Sequence, residues 1–225
     1  SNLQTGEQTF FNLHTDMVTC LKVYFAEEGN TVVASGECGL YPAIHVWDCE
    51  SKDLLSTLKG FHKNGIAQVD FSPDRRLLCS LGMDLYNSIA VYSWRDRQRL
   101  WASRTTADRV YDLRFLENNL IGSCGKNHVF FWRKDLSNIF KRFRGLFGTA
   151  VKEETLLTVA AVGNTIVTGS ETGMLHVWEG RNWMSSIRGH SGRVNAMFVV
   201  DQGEEKGLIS ACTAGKIQLW NSKLE

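Results

Sequence analysis

The chain has 225 residues, 43% of them hydrophobic, enough to bury a large core in one domain or to form part of a larger ring. Basic and acidic residues number 25 and 24, a formal net charge of +1, so no whole-molecule field marks a nucleic-acid or membrane binder. Six cysteines, at 20, 38, 49, 79, 124 and 212, include no C-x-x-C pair, and no histidine cluster completes a zinc spacing. Neither a metal nor a cofactor is expected.

From the N-terminus, residues 8–13 read as an outer strand with no inner strands before it, belonging to a preceding blade or closing the last one. Val18 to Val23 then alternates as a first strand, a second strand and a turn lead into Ile44-His45-Val46-Trp47, and Ser51 to Leu58 reads as an outer strand. The same order recurs. Ile66 to Phe71, closed by the turn Ser72-Pro73-Asp74, leads to Ile89-Ala90-Val91-Tyr92 and the outer strand Arg99 to Ser103. Val110 to Phe115 leads to Val129-Phe130-Phe131-Trp132, with Gly125-Lys126-Asn127 turning. Thr155 to Ala161 leads through the hairpin Thr165 to Gly173 into Leu175-His176-Val177-Trp178. Val194 to Phe198 leads through Ala214-Gly215 to Ile217-Gln218-Leu219-Trp220, and no outer strand follows.

The closing aromatics are Trp47, Tyr92, Trp132, Trp178 and Trp220, at steps of 45, 40, 46 and 42 residues, the period of a four-stranded propeller blade. Tyr92, not Trp94, holds the second position, because only Tyr92 has apolar residues one and three places before it, Val91 and Ile89. Those two places share a sheet face and are core positions. The fold expected is an all-β propeller over residues 1–225, with about five four-stranded blades, part of a larger or tandem propeller.

His14, His62 and His190 stand four residues before Val18, Ile66 and Val194, a repeated phase that fits a blade-opening hydrogen-bond donor and not a unique catalytic base. Cys79, Cys124 and Cys212 fall in second strands as small buried hydrophobes. The absence of a signal peptide, a glycosylation sequon or a long apolar run fits a reducing cytosol. Gly122 to Lys126 lacks the spacing and the following helix of a phosphate loop. Trp94, Trp101 and Trp183 lie in or near outer strands and are expected to pack.

Charge is uneven along the chain. Residues 95–144 hold twelve Lys or Arg against five acids, and the remainder thirteen against nineteen. The excess clusters at Arg95, Arg97, Arg99 and Arg104 and at Arg133, Lys134, Lys141, Arg142 and Arg144. Such a patch suits an acidic protein surface, while the plain alternative is a pair of solvated outer strands guarded by charge against edge pairing.

The residues resemble those of WD-repeat proteins, in which a Gly-His pair opens a blade and Trp-Asp ends its third strand. Here the pairs are Leu13-His14, Phe61-His62 and Gly189-His190, and only Trp47-Asp48 is a literal ending, so the hydrogen-bonded network of such blades is expected to be incomplete in most of them. The run Thr5 to Gln8 with His14-Thr15-Asp16, Ala34 to Glu37 before Val46-Trp47-Asp48, Gly60-Phe61-His62, Ser123 to His128 and Gly145-Leu146-Phe147 is similar to the echinoderm microtubule-associated protein-like family. That resemblance implies a non-catalytic module of the cytoplasm and cytoskeleton that binds tubulin and microtubules or other cytoskeletal proteins. A general WD-repeat scaffold or substrate-recognition subunit is the alternative the bare fold allows.

Overall fold

The computed structural model describes residues 6, 8–25, 31–148, 153–202 and 205–225. Runs of β-branched and aromatic residues alternate with turns rich in Gly, Asn and Asp, and the regular elements described are strands throughout. Among these residues no helix is long and apolar enough to cross a membrane. Contacts divide the chain into two compact units, the first reaching to Phe71 and resuming over Arg76–Thr105, the second holding Ser72–Arg75 and Thr106–Glu225.

The first unit contains β1 (Val18–Phe25), β2 (Thr31–Gly39), β3 (Ile44–Asp48) and β4 (Leu54–Leu58), then β5 (Asn64–Phe71), β6 (Leu77–Gly82), β7 (Ile89–Ser93) and β8 (Gln98–Ser103). Each set of four is an antiparallel meander, and the end of β2 joins them by pairing Cys38 with Gly65 and Gly39 with Asn64. That junction requires glycine. Gly65 has φ of 153°, and a Cβ there would meet Met83 Sδ at 2.7 Å and Cys38 Cα at 3.2 Å.

In the second unit β9 (Val110–Glu117), β10 (Leu120–Gly125), β11 (His128–Lys134) and β12 (Phe140–Arg144) form one sheet, and β13 (Leu156–Val162), β14 (Thr165–Ser170), β15 (Met174–Glu179) and β16 (Asn182–Arg188) another. β17 (Val194–Gln202), β18 (Glu205–Cys212) and β19 (Ile217–Trp220) complete it as a three-stranded sheet. The first-strand, second-strand and hairpin expectations agree with these elements.

The core lies between successive sheets. In the first unit Ile44, Val46 and Leu58 pack with Ile66, Val69 and Phe71; in the second, Val129, Phe131 and Leu120 pack with Leu156, Val159 and Trp178, and Val162, Val167 and Leu175 with Val194, Met197 and Leu208. Burying each such side chain contributes about 1.5–3 kcal/mol. The first four third strands are consequently covered on both faces. His45, Ala90, Phe130 and His176, between the flanking core residues of their phrases, are buried as well.

Two expectations fail. Residues 8–13 enter no strand ladder; Phe11 instead stacks on Trp47 at 4.5 Å between ring centroids, so an aromatic contact and not backbone pairing holds the segment. Ile217 and Leu219 are 74% and 72% exposed, not core, because no further sheet covers that face of β19 among the described residues.

Candidate functional site

The repeat aromatics hold their blades through one hydroxyl on the second strand. Trp47 Nε1 donates to Ser35 Oγ at 2.9 Å, Trp132 Nε1 to Ser123 Oγ at 2.9 Å, Trp178 Nε1 to Thr168 Oγ1 at 2.9 Å and Trp220 Nε1 to Ser210 Oγ at 2.8 Å. Where a blade opens with histidine, its Nε2 meets the same hydroxyl: His14 with Ser35 at 2.7 Å, His62 with Ser80 at 2.6 Å and His190 with Ser210 at 2.7 Å. Tyr92 closes the second blade above Ser80, with Leu78 opposite it in the ladder. The histidine, hydroxyl and aromatic therefore act together in three blades, and the hydroxyl and tryptophan alone in two.

In two blades a carboxylate joins this network. In the first blade Glu37 accepts from His14 at 2.9 Å, from the Thr15 amide at 2.9 Å and from the Ala43 amide at 3.2 Å. Burial pushes its carboxyl up, but these donors outweigh burial and leave it lowered. In the second blade His62 Nδ1 meets Ser88 Oγ at 2.9 Å, and Ser88 donates to Asp84. Burial raises the Asp84 carboxyl, and the His62 ring, the Ser88 hydroxyl and amide and the Tyr86 amide carry it well below the ordinary carboxylate range. Among the described residues His190 Nδ1 has no hydrogen-bond partner.

Two further histidines lie at the same place in their phrases, and the sequence reading assigned them nothing. His45 Nδ1 meets Thr57 Oγ1 at 3.1 Å, and His176 Nδ1 meets Ser186 Oγ at 2.7 Å, so each ties a third strand to a fourth. The signal was the shared His-Val-Trp. His14, Glu37 and His45 bring ligand atoms within 4.8 Å of one another, a donor set of zinc-binding type. Metal binding there would take His14 and Glu37 from the bonds that hold the blade. His176 Nε2 also meets Glu154 Oε1 at 2.7 Å, forming a serine, histidine and carboxylate chain. Ser186 Oγ accepts from Trp183 Nε1 at 2.9 Å as well, which ties its lone pair to the sheet.

The nine basic residues divide between the two units. In the first, Arg95 lies over the Trp94 ring at 4.1 Å, Arg99 over Phe61 at 4.6 Å and Arg104 over Tyr86 at 5.0 Å, while Arg97 turns the chain with φ of 57°. In the second, Arg142 lies over Phe130 and Trp132 at 4.9 and 5.7 Å, and Lys141 pairs with Asp135 at 3.1 Å. Arg144 pairs with Glu153 at 2.9 Å, and Arg133 and Lys134 stand opposite Lys141 and Phe140 in the ladder. Stacking on aromatic faces gives these guanidinium groups a packing role that charge alone does not report.

Beside this first group the second blade opens a cleft of about 460 Å³. Phe61 and Lys63 reach it from the β4–β5 connection, Asp84, Leu85 and Tyr86 from the β6–β7 loop and Arg104 from the end of β8. The loop is held from within. Asp84 accepts from the Tyr86 amide at 3.2 Å and from the Ser88 amide, and Thr105 donates to the Tyr86 carbonyl at 3.0 Å.

Blades of four strands, tied by a tryptophan, a hydroxyl and a histidine at a period near 40 residues, define a WD-repeat β-propeller. Solved propellers agree: the β-propeller domain of Cps50 (Swd1) from Myceliophteria thermophila has a TM-score of 0.75 at 18% identity, covering 93% of this chain and 66% of that one. The RRP9 WD40 repeats give 0.71 at 21% identity, over 93% and 61%. Within that class, residues 7–225 match the family described as the echinoderm microtubule-associated protein first β-propeller, and the chain belongs to it. It is 28% identical over 219 residues to echinoderm microtubule-associated protein-like 2 of Rattus norvegicus, covering 90% of this chain and 33% of that protein. It is 28% identical over 191 residues to protein-like 4 of Mus musculus (79% and 19%) and 26% identical over 220 residues to protein-like 1 of Homo sapiens (90% and 26%). The chain thus spans about a fifth to a third of these relatives. In the run Thr5 to Gln8 that carried part of the resemblance, Thr5 and Glu7 lie outside the described residues.

Proposed function

We propose that this propeller is a non-catalytic interaction module that binds tubulin or microtubules in the cytoplasm, at the cytoskeleton. The observation that carries the reading is the family match over residues 7–225. The local excess of Lys and Arg over residues 95–144 supports it, because an acidic filament surface would be met by complementary charge. The histidines support the non-catalytic part: His14, His62 and His190 each spend a ring nitrogen on a blade-holding serine. A general scaffold role rests on the fold alone.

Reversing charge at Arg133 and Lys134, which enter no ion pair among the described residues, tests the electrostatic part. Arg133→Glu with Lys134→Glu is expected to weaken microtubule co-sedimentation several-fold at low salt and to flatten its salt dependence, since exposed charges are screened within about 10 Å at 0.1 M salt. Identical pelleting of variant and parent across the salt series would remove this end of β11 from the binding surface.

A further inference from the structure

The cleft of the second blade has a chemistry of its own. Its apolar side is exposed: Leu85 is 72% accessible and Tyr86 42%, with the Phe61 ring beside them. Two cations border it. Lys63 and Arg104 are exposed, and among the described residues neither enters an ion pair. The Arg104 guanidinium lies over the Tyr86 ring at 5.0 Å, which fixes its position while leaving its edge to donate. Arg99, over the Phe61 ring at 4.6 Å, adds a third positive charge next to the opening. The acid in the lining, Asp84, keeps its charge and spends its oxygens on the Tyr86 and Ser88 amides of its own loop, and Lys63, Arg104 and Arg99 outnumber it.

An apolar surface that shares its lining with two cations outside any ion pair among the described residues fits a carboxylate and an aliphatic side chain presented together. An extended peptide places residues i and i+2 on one face, about 7 Å apart, and a volume of about 460 Å³ admits a few side chains. We propose that this cleft binds a short extended peptide carrying an acidic residue two positions from a leucine-like one, the carboxylate against Lys63 and Arg104 and the aliphatic chain against Leu85 and Tyr86. The site lies wholly within the first unit.

A fluorescein-labelled ten-residue peptide with glutamate and leucine in that spacing, titrated with the 225-residue chain at low salt, tests it by fluorescence anisotropy. Binding should be saturable and should weaken roughly tenfold or more in Lys63→Glu with Arg104→Glu, as expected when charge complementarity is reversed. It should also weaken when the peptide's leucine becomes serine or when Leu85→Ser is introduced, and it should persist in Lys223→Glu, which is not part of the cleft lining. Equal affinity for a peptide with glutamine in place of glutamate would overturn the proposal. So would unchanged affinity in the double reversal, or displacement by equimolar inorganic phosphate, which would make the cleft a bare anion site. Should the double reversal unfold, Lys63→Gln with Arg104→Gln gives the same reading without added repulsion. Microtubule pelleting of the same variants reports separately: lost peptide binding with intact pelleting supports the cleft and leaves the family reading untouched.

Discussion

At the residue scale, His62 shows how a blade holds a neutral imidazole. One ring nitrogen meets Ser80 at 2.6 Å and the other Ser88 at 2.9 Å, and burial lowers its pKa against the opposing pull of Asp84. Burial likewise leads the lowering of His45, His128, His176 and His190. Between a lowered folded value and the unfolded value near 6.5 the unfolded chain binds more protons, so stability rises with pH through that window and is lost as pH falls below about 6.5. Asp84 acts lower down: its folded value is depressed, so what it contributes is complete above about 4 and disappears as pH falls further. Urea midpoints measured from pH 8 to pH 3 should therefore decline from about 6.5 downward and again below 4, with Asp84→Asn flattening the second decline. A midpoint constant from pH 8 to 5 would contradict neutral, buried histidines. The phase of His14, His62 and His190 was readable because it repeats. Their acids were not, because Glu37 stands near the end of β2 and Asp84 in the β6–β7 loop, places that share no repeat position.

At the element scale, neighbouring first strands are joined by side chains that replace backbone pairing. Thr19 of β1 donates to the Ile66 carbonyl of β5 at 2.5 Å, and Lys22 pairs with Asp70 at 2.7 Å. Between β9 and β13 the buried Asp112 accepts from Thr158 Oγ1 and from the Val159 amide, each at 2.9 Å, and from Arg114 Nε at 3.0 Å. Asp112→Ala would strand the Thr158 hydroxyl and the Val159 amide in the core and should cost about 3 kcal/mol, read as a lowered urea midpoint with unchanged slope. A loss under about 0.5 kcal/mol, the scale of an ordinary surface change, would show that the strut carries little. Strand order and hairpins were readable from alternation and turn residues. The failed outer strand at residues 8–13 had the right composition, yet it packs by stacking Phe11 on Trp47, a tertiary choice that local pattern does not encode. Ile217 and Leu219 likewise carry the core pattern without the covering sheet.

At the scale of the whole molecule, near-neutral charge conceals an internal division, with the basic excess confined to residues 95–144. The sequence located that excess but not its geometry: stacking of Arg95, Arg99, Arg104 and Arg142 on aromatic rings turns part of it into packing, and ion pairs of Lys141 and Arg144 neutralise another part. Outside those contacts stand Arg97, Arg133 and Lys134, while Arg104, stacked on Tyr86, borders the cleft with Lys63, a placement that composition alone could not single out. Family membership then supplies the partner class to test. The most direct measurement is co-sedimentation of the 225-residue chain with stabilised microtubules at rising tubulin concentration and low salt. Saturable pelleting that weakens as salt rises is the predicted result; a chain that stays in the supernatant at every tubulin concentration would contradict the proposed function.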